Sequence, residues 1–493
     1  MNTYYPLLYQ CNIRVLLTSL ARSLGRTVTL DDVPESVIEN WASQGFDWIW
    51  LLSVWQIGEA SRKVSRSNSD LRHEFESTLP DLKEEDIDGS GFAITAYHVH
   101  QGLGGDAALA RLRQRLKKHG LKLMLDFVPN HMGLGHPWID LHPDYFVSGT
   151  EEDLVREPNN YVRVQTASGQ RIYAYGRDPY FSGWSDTLQV NYANADARQA
   201  MQKELLRIAK QCDGVRCDMA MLVLPEVFQQ TWNRTSEPFW PTAIEAVKKK
   251  NPNFHFMAEV YWDMEWTLQQ QGFDSTYDKR LYDRLRAGQA RPVREHLQAG
   301  LEYQSRLARF LENHDEPRAA EAFSWDMHQA AAIVTYLTPG LRFFHAGQLE
   351  GNRIRISPHL VRGPDEQVQN SVKSFYEKLL AILREPTWRT GRWQLLETNP
   401  AWDGNWTHDA FIAFAWQGTD DQRYVVAVND SDHPSQCRVQ LPFSGLGSGT
   451  WKLVDRLSDE WYTWSGEELT ARGLYLDEPA WRARVFELIA DHQ

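Results

Sequence analysis

Cysteine is scarce in this sequence. The four in 493 residues, Cys11, Cys212, Cys217 and Cys437, cannot build a disulfide framework. No Cys-x-x-Cys pair and no companion His pattern marks a zinc site, so buried, reduced thiols are expected. Long apolar runs are absent too. Nothing approaches the roughly 18 residues of a membrane-spanning helix. Met1 to Tyr5 begin no basic segment followed by an apolar one and a small-residue cleavage site. The expectation is a soluble, cytoplasmic chain with no membrane partner. Positive charge is in deficit: 52 Lys and Arg stand against 65 Asp and Glu, a net charge of −13. Nucleic-acid binding rests on a basic face that neutralises phosphates, so no nucleic-acid partner is expected. The densest basic cluster, Lys248-Lys249-Lys250, reads as a solvated helix end. There is no internal repeat and no low-complexity segment.

What the chain has in quantity is aromatic side chains, 20 Trp, 19 Tyr and 20 Phe. A large core accounts for many of them. A sugar site is the sharper reading, since a pyranose offers an apolar C–H face and a hydroxyl edge. Composition alone leaves both open.

The first 380 or so residues alternate short apolar runs with amphipathic segments, the pattern of a parallel sheet or barrel. Tyr5–Tyr9, Phe46–Leu52, Leu121–Val128, Gly214–Cys217, Phe254–Ala258, Ala308–Leu311 and Leu341–Phe344 read as strands. One near Asp274–Tyr277 brings the count to eight, which predicts a (β/α)8 barrel. Asp32–Gln44, Asp106–His119 and Ala195–Gln211 read as helices, the first two stopped by Gly45 and Gly120. The stretch from Met132 to about Gln189 is rich in Gly, Pro, Tyr, Asp and Asn and reads as an inserted irregular subdomain. After about Glu385, short alternating strands (Phe411–Trp416, Tyr424–Val428, Cys437–Leu441, Trp451–Val454) predict an antiparallel β-sandwich that braces the barrel. The predicted organisation is a barrel from 1–131 and 193–385, an insertion over 132–192 and a C-terminal domain over 386–493.

In a barrel, reactive groups sit past the C-terminal strand ends. The third strand ends Asp126-Phe127-Val128-Pro129-Asn130-His131, and the fourth Gly214-Val215-Arg216-Cys217-Asp218. The fifth ends Met257-Ala258-Glu259-Val260-Tyr261-Trp262, and the seventh Glu312-Asn313-His314-Asp315. One such carboxylate is usually structural. Four at one mouth repel one another, and that cost calls for a function.

These four segments, in this order, resemble the four short motifs of the α-amylase superfamily, family 13 of the glycoside hydrolases. Thr187–Asn191 and Tyr192 resemble a further motif near the end of the inserted domain. Gly91-Phe92, Tyr97 and Gly104-Gly105 resemble the segment before the third helix, and Gly347-Gln348 the start of a Gly-Gln-Glu. The resemblance implies Asp218 as nucleophile, Glu259 as general acid/base and Asp315 as third catalytic carboxylate. It implies Arg216 holding the nucleophile ionised, His131 and His314 binding hydroxyls, and Phe92 as platform under the sugar. Asp126 would stand behind Arg216. Asn130 matches a residue that often helps hold calcium, but no partner ligands are identifiable; no cofactor and no metal are predicted, with a structural calcium left open as the alternative.

The chemistry asks for these residue types on its own terms. Retaining glycosidases need two carboxyls about 5–5.5 Å apart, one ionised and one protonated. Asp218 lies two residues from Arg216, on one face of a strand, where a cation lowers its pKa. Glu259 is bracketed by Met257, Ala258, Val260 and Tyr261, a setting expected to favour the neutral acid. Three positions depart from the family pattern. The Lys-His pair after the nucleophile reads Met221-Leu222, Leu349 separates Gln348 from Glu350, and the Asp-Tyr before the third helix reads Ala96-Tyr97. The first reading is hydrolysis of α-glucosidic bonds, α-1,4 links of maltooligosaccharides or α-glucan, with retention. The runner-up is a 4-α-glucanotransferase-type transglycosylase using the same residues. The third, a non-catalytic sugar-binding barrel, would lack one of the three carboxylates, all of which this chain has.

Overall fold

The computed structural model describes residues 4–447 and 449–491. Eight parallel strands close into a barrel: β1 (Leu7–Asn12), β2 (Trp48–Leu52), β3 (Lys122–Phe127), β4 (Gly214–Cys217), β5 (His255–Ala258), β6 (Ser275–Tyr277), β7 (Leu307–Arg309) and β8 (Leu341–His345). They follow one another in chain order, and β8 closes on β1. Strands between a packed interior and a ring of helices are buried on both faces, and all five residues of β2 are.

β1 begins and ends later than the apolar run Tyr5–Tyr9 predicts. It continues through Gln10 and Asn12, whose polar side chains are used at the mouth. Gln10 is fully buried, with its amide 2.8 Å from the His314 ring. Asn12 caps helix α1 (Ile13–Leu24) by accepting the Arg14 N–H. The helix predicted over Asp32–Gln44 is α2, Glu35–Ser43, delayed by Pro34 at its N-cap. Gly45, at φ +89°, ends it.

Two additions rise above the mouth. After β2, an antiparallel ribbon of Trp55–Ile57 with Ile94–Val99 carries a helical hairpin, α3 (Glu59–Ser67) and α4 (Ser69–Thr78). No sequence pattern pointed to this hairpin. After β3, His131–Gly133 pairs with Thr187–Gln189 to form the neck of an excursion. It holds a hairpin, Tyr161–Thr166 with Gly169–Ala174, and short helices Trp138–Leu141 and Glu151–Arg156. Its Phe146, Val147 and Tyr173 pack into the core of the barrel. All four cysteines are buried and unpaired. Among the described residues, no helix is long and apolar enough to cross a membrane.

The C-terminal region is a two-layer β structure, a six-stranded antiparallel sheet facing a three-stranded one. Alternation along its strands sorts side chains to opposite faces. Ile412, Phe414 and Trp416 join the barrel core, while Phe411, Ala413 and Ala415 face the smaller sheet. Trp416 fixes the joint: its indole N–H donates to the Leu337 carbonyl at 2.7 Å, and its ring meets Tyr5 and Trp388. Deleting a buried Trp side chain costs about 3–5 kcal/mol. Trp416→Ala should therefore lower the urea midpoint of the whole chain; an unchanged midpoint would show that the sheet does not brace the barrel.

Candidate active site

The site is built around Arg216, 1 % exposed on β4. Parallel register sets Arg216 beside Asp126 on β3 and Met257 on β5. One terminal nitrogen, Nη1, lies 2.7 Å from Asp218 Oδ1 and 3.5 Å from Asp126 Oδ1. The other, Nη2, lies 2.6 Å from Glu259 Oε2. The guanidinium also lies 5.2–5.9 Å from the ring centroids of Phe92, Trp50 and Tyr277, close enough for cation–π attraction.

Asp218 and Glu259 extend the ladder past the strand ends. The Asp218 N–H donates to Phe127 O at 2.9 Å, and the Glu259 N–H to Cys217 O at 3.0 Å. Met219 then turns left-handed, at φ +41°, and its N–H donates to Glu259 Oε2 at 2.8 Å. The Tyr261 hydroxyl donates to Glu259 Oε1 at 2.8 Å. The apolar surroundings read from the sequence neighbours of Glu259 are therefore corrected: this carboxyl has three polar donors. Its pKa is raised all the same, because burial outweighs Arg216 and because Asp218 and Asp315 repel its charge. Asp218 is raised too, by burial first, with Arg216 pulling down and Asp315 pushing up. The lowering expected from Arg216 is present but is not the larger effect.

Asp126 is wholly buried beneath the Arg and accepts from the Trp50 indole N–H at 3.3 Å; burial pushes its carboxyl up to about 7. Asp315 lies at the floor of the mouth, with 45 % of its side chain still reached by solvent. Asn313, which the sequence reading passed over, orients it by accepting the Asp315 and Glu316 N–H groups at 2.8 and 2.9 Å. Being ringed by protein raises Asp315, against the charges of Arg216 and Arg355.

His314 stacks on Phe92, centroids 5.3 Å apart. Its Nδ1 faces the Gln10 amide N–H, so it accepts there and Nε2 carries the hydrogen, 3.1 Å from Asp315 Oδ2. Burial lowers His314 to about 3 and His131 to about 4, so both rings are neutral near pH 7. His131 sits in the neck against Trp184, and among the described residues its Nδ1 has no partner. Residues that the sequence reading missed include Gln10, Trp50 and Tyr277, whose buried hydroxyl beside Arg216 has no partner among the described residues. All three lie on barrel strands, where an inward-facing polar group at the mouth end is the available signal.

The departures have structural readings. Met221 and Leu222 are buried in the core. Gln348 is structural: it accepts the His345 N–H and donates to the Tyr336 and Tyr376 hydroxyls. At Asn130 the side-chain oxygen and the carbonyl already accept the Gln189 amide, at 3.0 and 2.9 Å. An amide N–H pointing at both oxygens occupies the acceptors that a cation would need there.

A family model described as the alpha amylase catalytic domain matches residues 45–399, a span holding every residue of this site except Gln10. The chain belongs to the alpha-amylase family. It is 24 % identical over 310 residues to Alpha-amylase 3 of Dictyoglomus thermophilum, across 57 % of this chain and 56 % of that one. It is 27 % identical over 267 residues to the alpha-1,4-glucan:maltose-1-phosphate maltosyltransferase of Burkholderia pseudomallei, across 52 % of this chain and 20 % of that one. The chain thus spans about half, or less, of the length of these curated relatives. The maltogenic alpha-amylase AmyB of Thermotoga neapolitana superposes with a TM-score of 0.70 over 100 % of both chains at 17 % identity, a likeness of fold.

The Asn130 geometry generates a prediction. The unfolding temperature should be the same in EDTA as in calcium; a calcium-dependent rise would place a cation in the fold.

Proposed function

We propose that this chain cleaves α-glucosidic bonds, foremost the α-1,4 links of maltooligosaccharides or α-glucan, with retention through a covalent glycosyl–enzyme. The observation that carries this reading is the shared guanidinium. Asp218 and Glu259 accept from the two terminal nitrogens of Arg216, at 2.7 and 2.6 Å. Sharing one guanidinium draws the two carboxyls together, which supports double displacement, a mechanism that works at a spacing of about 5–5.5 Å. Asp218, ionised, attacks the anomeric carbon while Glu259 gives its proton to the departing glycosidic oxygen. Water then attacks the same carbon, Glu259 takes the water proton back, and the Asp218 carboxylate leaves.

Transfer to a sugar is the second reading, and an exposed aromatic pair favours it. Trp262, three residues past Glu259, meets Tyr180 of the insertion edge-on at 5.0 Å, with 36 % and 60 % exposure. Such a face on the leaving-group side can hold an acceptor sugar in place of water. Products longer than the starting sugar, in a maltoheptaose time course, would mark transfer.

The mechanism is tested by separating its two carboxyls. Asp218→Asn should lose both steps. Glu259→Gln should stall on natural substrates by roughly 10²–10⁴-fold but still react with an α-glycosyl fluoride, whose leaving group needs little protonation. Azide should then release an α-glycosyl azide, because two inversions retain configuration. A β-azide from this variant, or equal rescue of both variants, would overturn the assignment.

The pH profile follows from the same roles. Activity should fall as pH drops through the Asp218 value, where the nucleophile becomes neutral, and as pH rises through the Glu259 value, where the acid is lost. Because burial raises both groups, both limbs should lie above the ordinary carboxyl values of about 4. An acid limb at or below the ordinary value would contradict the assignment.

A further inference from the structure

The loops around the mouth are not alike. Those after β8, β1, β2 and β3 form one continuous arc, since the strands adjoin in that order. The three carboxylates come from strands 4, 5 and 7, on the rest of the ring. Across the arc, the α3–α4 hairpin is held from both flanks. On one side Ser61 donates to Asp186 of the β3 excursion at 3.0 Å. On the other, the segment after β8 lies against the hairpin and the chain following it. Leu360 completes a small apolar core with Phe75, Leu79 and Ile87. Arg355 binds Glu74 at 2.6 Å, and His359 binds Ser65 at 2.8 Å. Ser61, Ser65 and Leu360 are fully buried and Asp186 is 7 % exposed, while the Arg355–Glu74 pair, at the outer edge, keeps 34 % of each side chain exposed. A neighbouring cavity of about 500 Å³, between α1 and residues 345–368, touches the site only at His314, and none of the three carboxylates lines it.

We propose that this three-way clasp closes the glycone side of the catalytic cleft, so that the enzyme takes its substrate by the non-reducing end. The inference rests on the glucosidic reading above and adds the direction of attack. Glu259 must face the departing oxygen, so its side of the cleft is the leaving-group side. That side carries the exposed Tyr180 and Trp262. The clasp lies on the opposite side: it is built from the chain after β8, β2 and β3, while β5, which carries Glu259, faces β1 across the eight-stranded ring, and Phe92, in the chain following the hairpin, stacks on His314. A glucan crossing the mouth can therefore leave over the aromatic side but meets the clasp on the other.

The test uses the whole chain and maltoheptaose labelled at its reducing end, with and without an acetal bridging the two terminal hydroxyls of the non-reducing glucose. A closed pocket cannot admit the added bulk, so the capped sugar should be cut about a hundredfold more slowly or worse. The uncapped sugar should give labelled products shortened from the far end. Comparable rates on the two would overturn the clasp while leaving the glucosidic reading intact. Failure to cut either would overturn both.

Discussion

Everything at the mouth depends on one buried cation. Arg216 is 1 % exposed, and a guanidinium taken out of water is costly unless its charge and its N–H groups are met. Here the charge and the terminal nitrogens are met by Asp218, Glu259 and, more distantly, Asp126, while Nε has no partner among the described residues and the faces of Trp50, Phe92 and Tyr277 crowd round it. The carboxylates need the cation as much as it needs them. Without it, Asp126, Asp218 and Glu259 would repel one another in a dry site. The barrel makes the arrangement cheap to hold, because parallel register alone sets Arg216 beside Asp126 and carries Asp218 and Glu259 one step beyond adjacent strand ends.

Around that rigid floor the walls are of two kinds. Towards α3–α4 they are apolar and ion-paired, with Leu360 in a small core of its own and Arg362 bridging Asp81 and Asp86. Towards Glu259 they are exposed and aromatic. Trp262 and Asp263 both take left-handed φ of +62°, strain that turns the chain sharply and leaves the Trp262 ring outside the core. A floor fixed by strand register, with walls supplied by long insertions, lets the chemistry stay constant while the shape of the cleft is set elsewhere.

The parts legible in the sequence are those that obey a simple physical pattern. Strands buried on both faces read as apolar runs, which is why β2 and β4 stand out. Carboxylates placed just past such runs have few bland explanations, so Asp218, Glu259 and Asp315 could be picked out. The α3–α4 hairpin was invisible because it is mostly polar: α3 has Val64 as its one large aliphatic residue, and the small buried Ser61 and Ser65 do its packing. The tail of β1 was lost for the opposite reason, since Gln10 and Asn12 interrupt an apolar run yet remain strand. The setting of Glu259 was misread because apolar neighbours in sequence do not line its carboxyl. Its donors are Arg216 on β4, the Tyr261 hydroxyl and the N–H of Met219, whose left-handed turn no residue preference announces.

That misreading leads to the position of the proton. Arg216 carries one charge, and Asp218 and Glu259 both lean on it, so the pair titrates as a unit rather than as two independent groups. Asp218 has the better claim to remain ionised, since one carboxylate, Asp315, stands among the main influences repelling it, against two, Asp218 and Asp315, for Glu259. In the proposed mechanism Glu259 then holds the proton before reaction. Its Oε2 already accepts two N–H groups, from Arg216 and Met219, and cannot also carry a hydrogen between them. On that reading the proton sits on Oε1, whose partner among the described residues is the Tyr261 hydroxyl, a group able to accept as well as donate. A glycosidic oxygen arriving at Oε1 takes the place of that hydroxyl. In the proposed mechanism the Tyr261 hydroxyl, which donates to Oε1 of the ionised carboxylate, turns to accept from it once Glu259 is protonated and gives way on substrate arrival, while Arg216 and Met219 keep the other oxygen still.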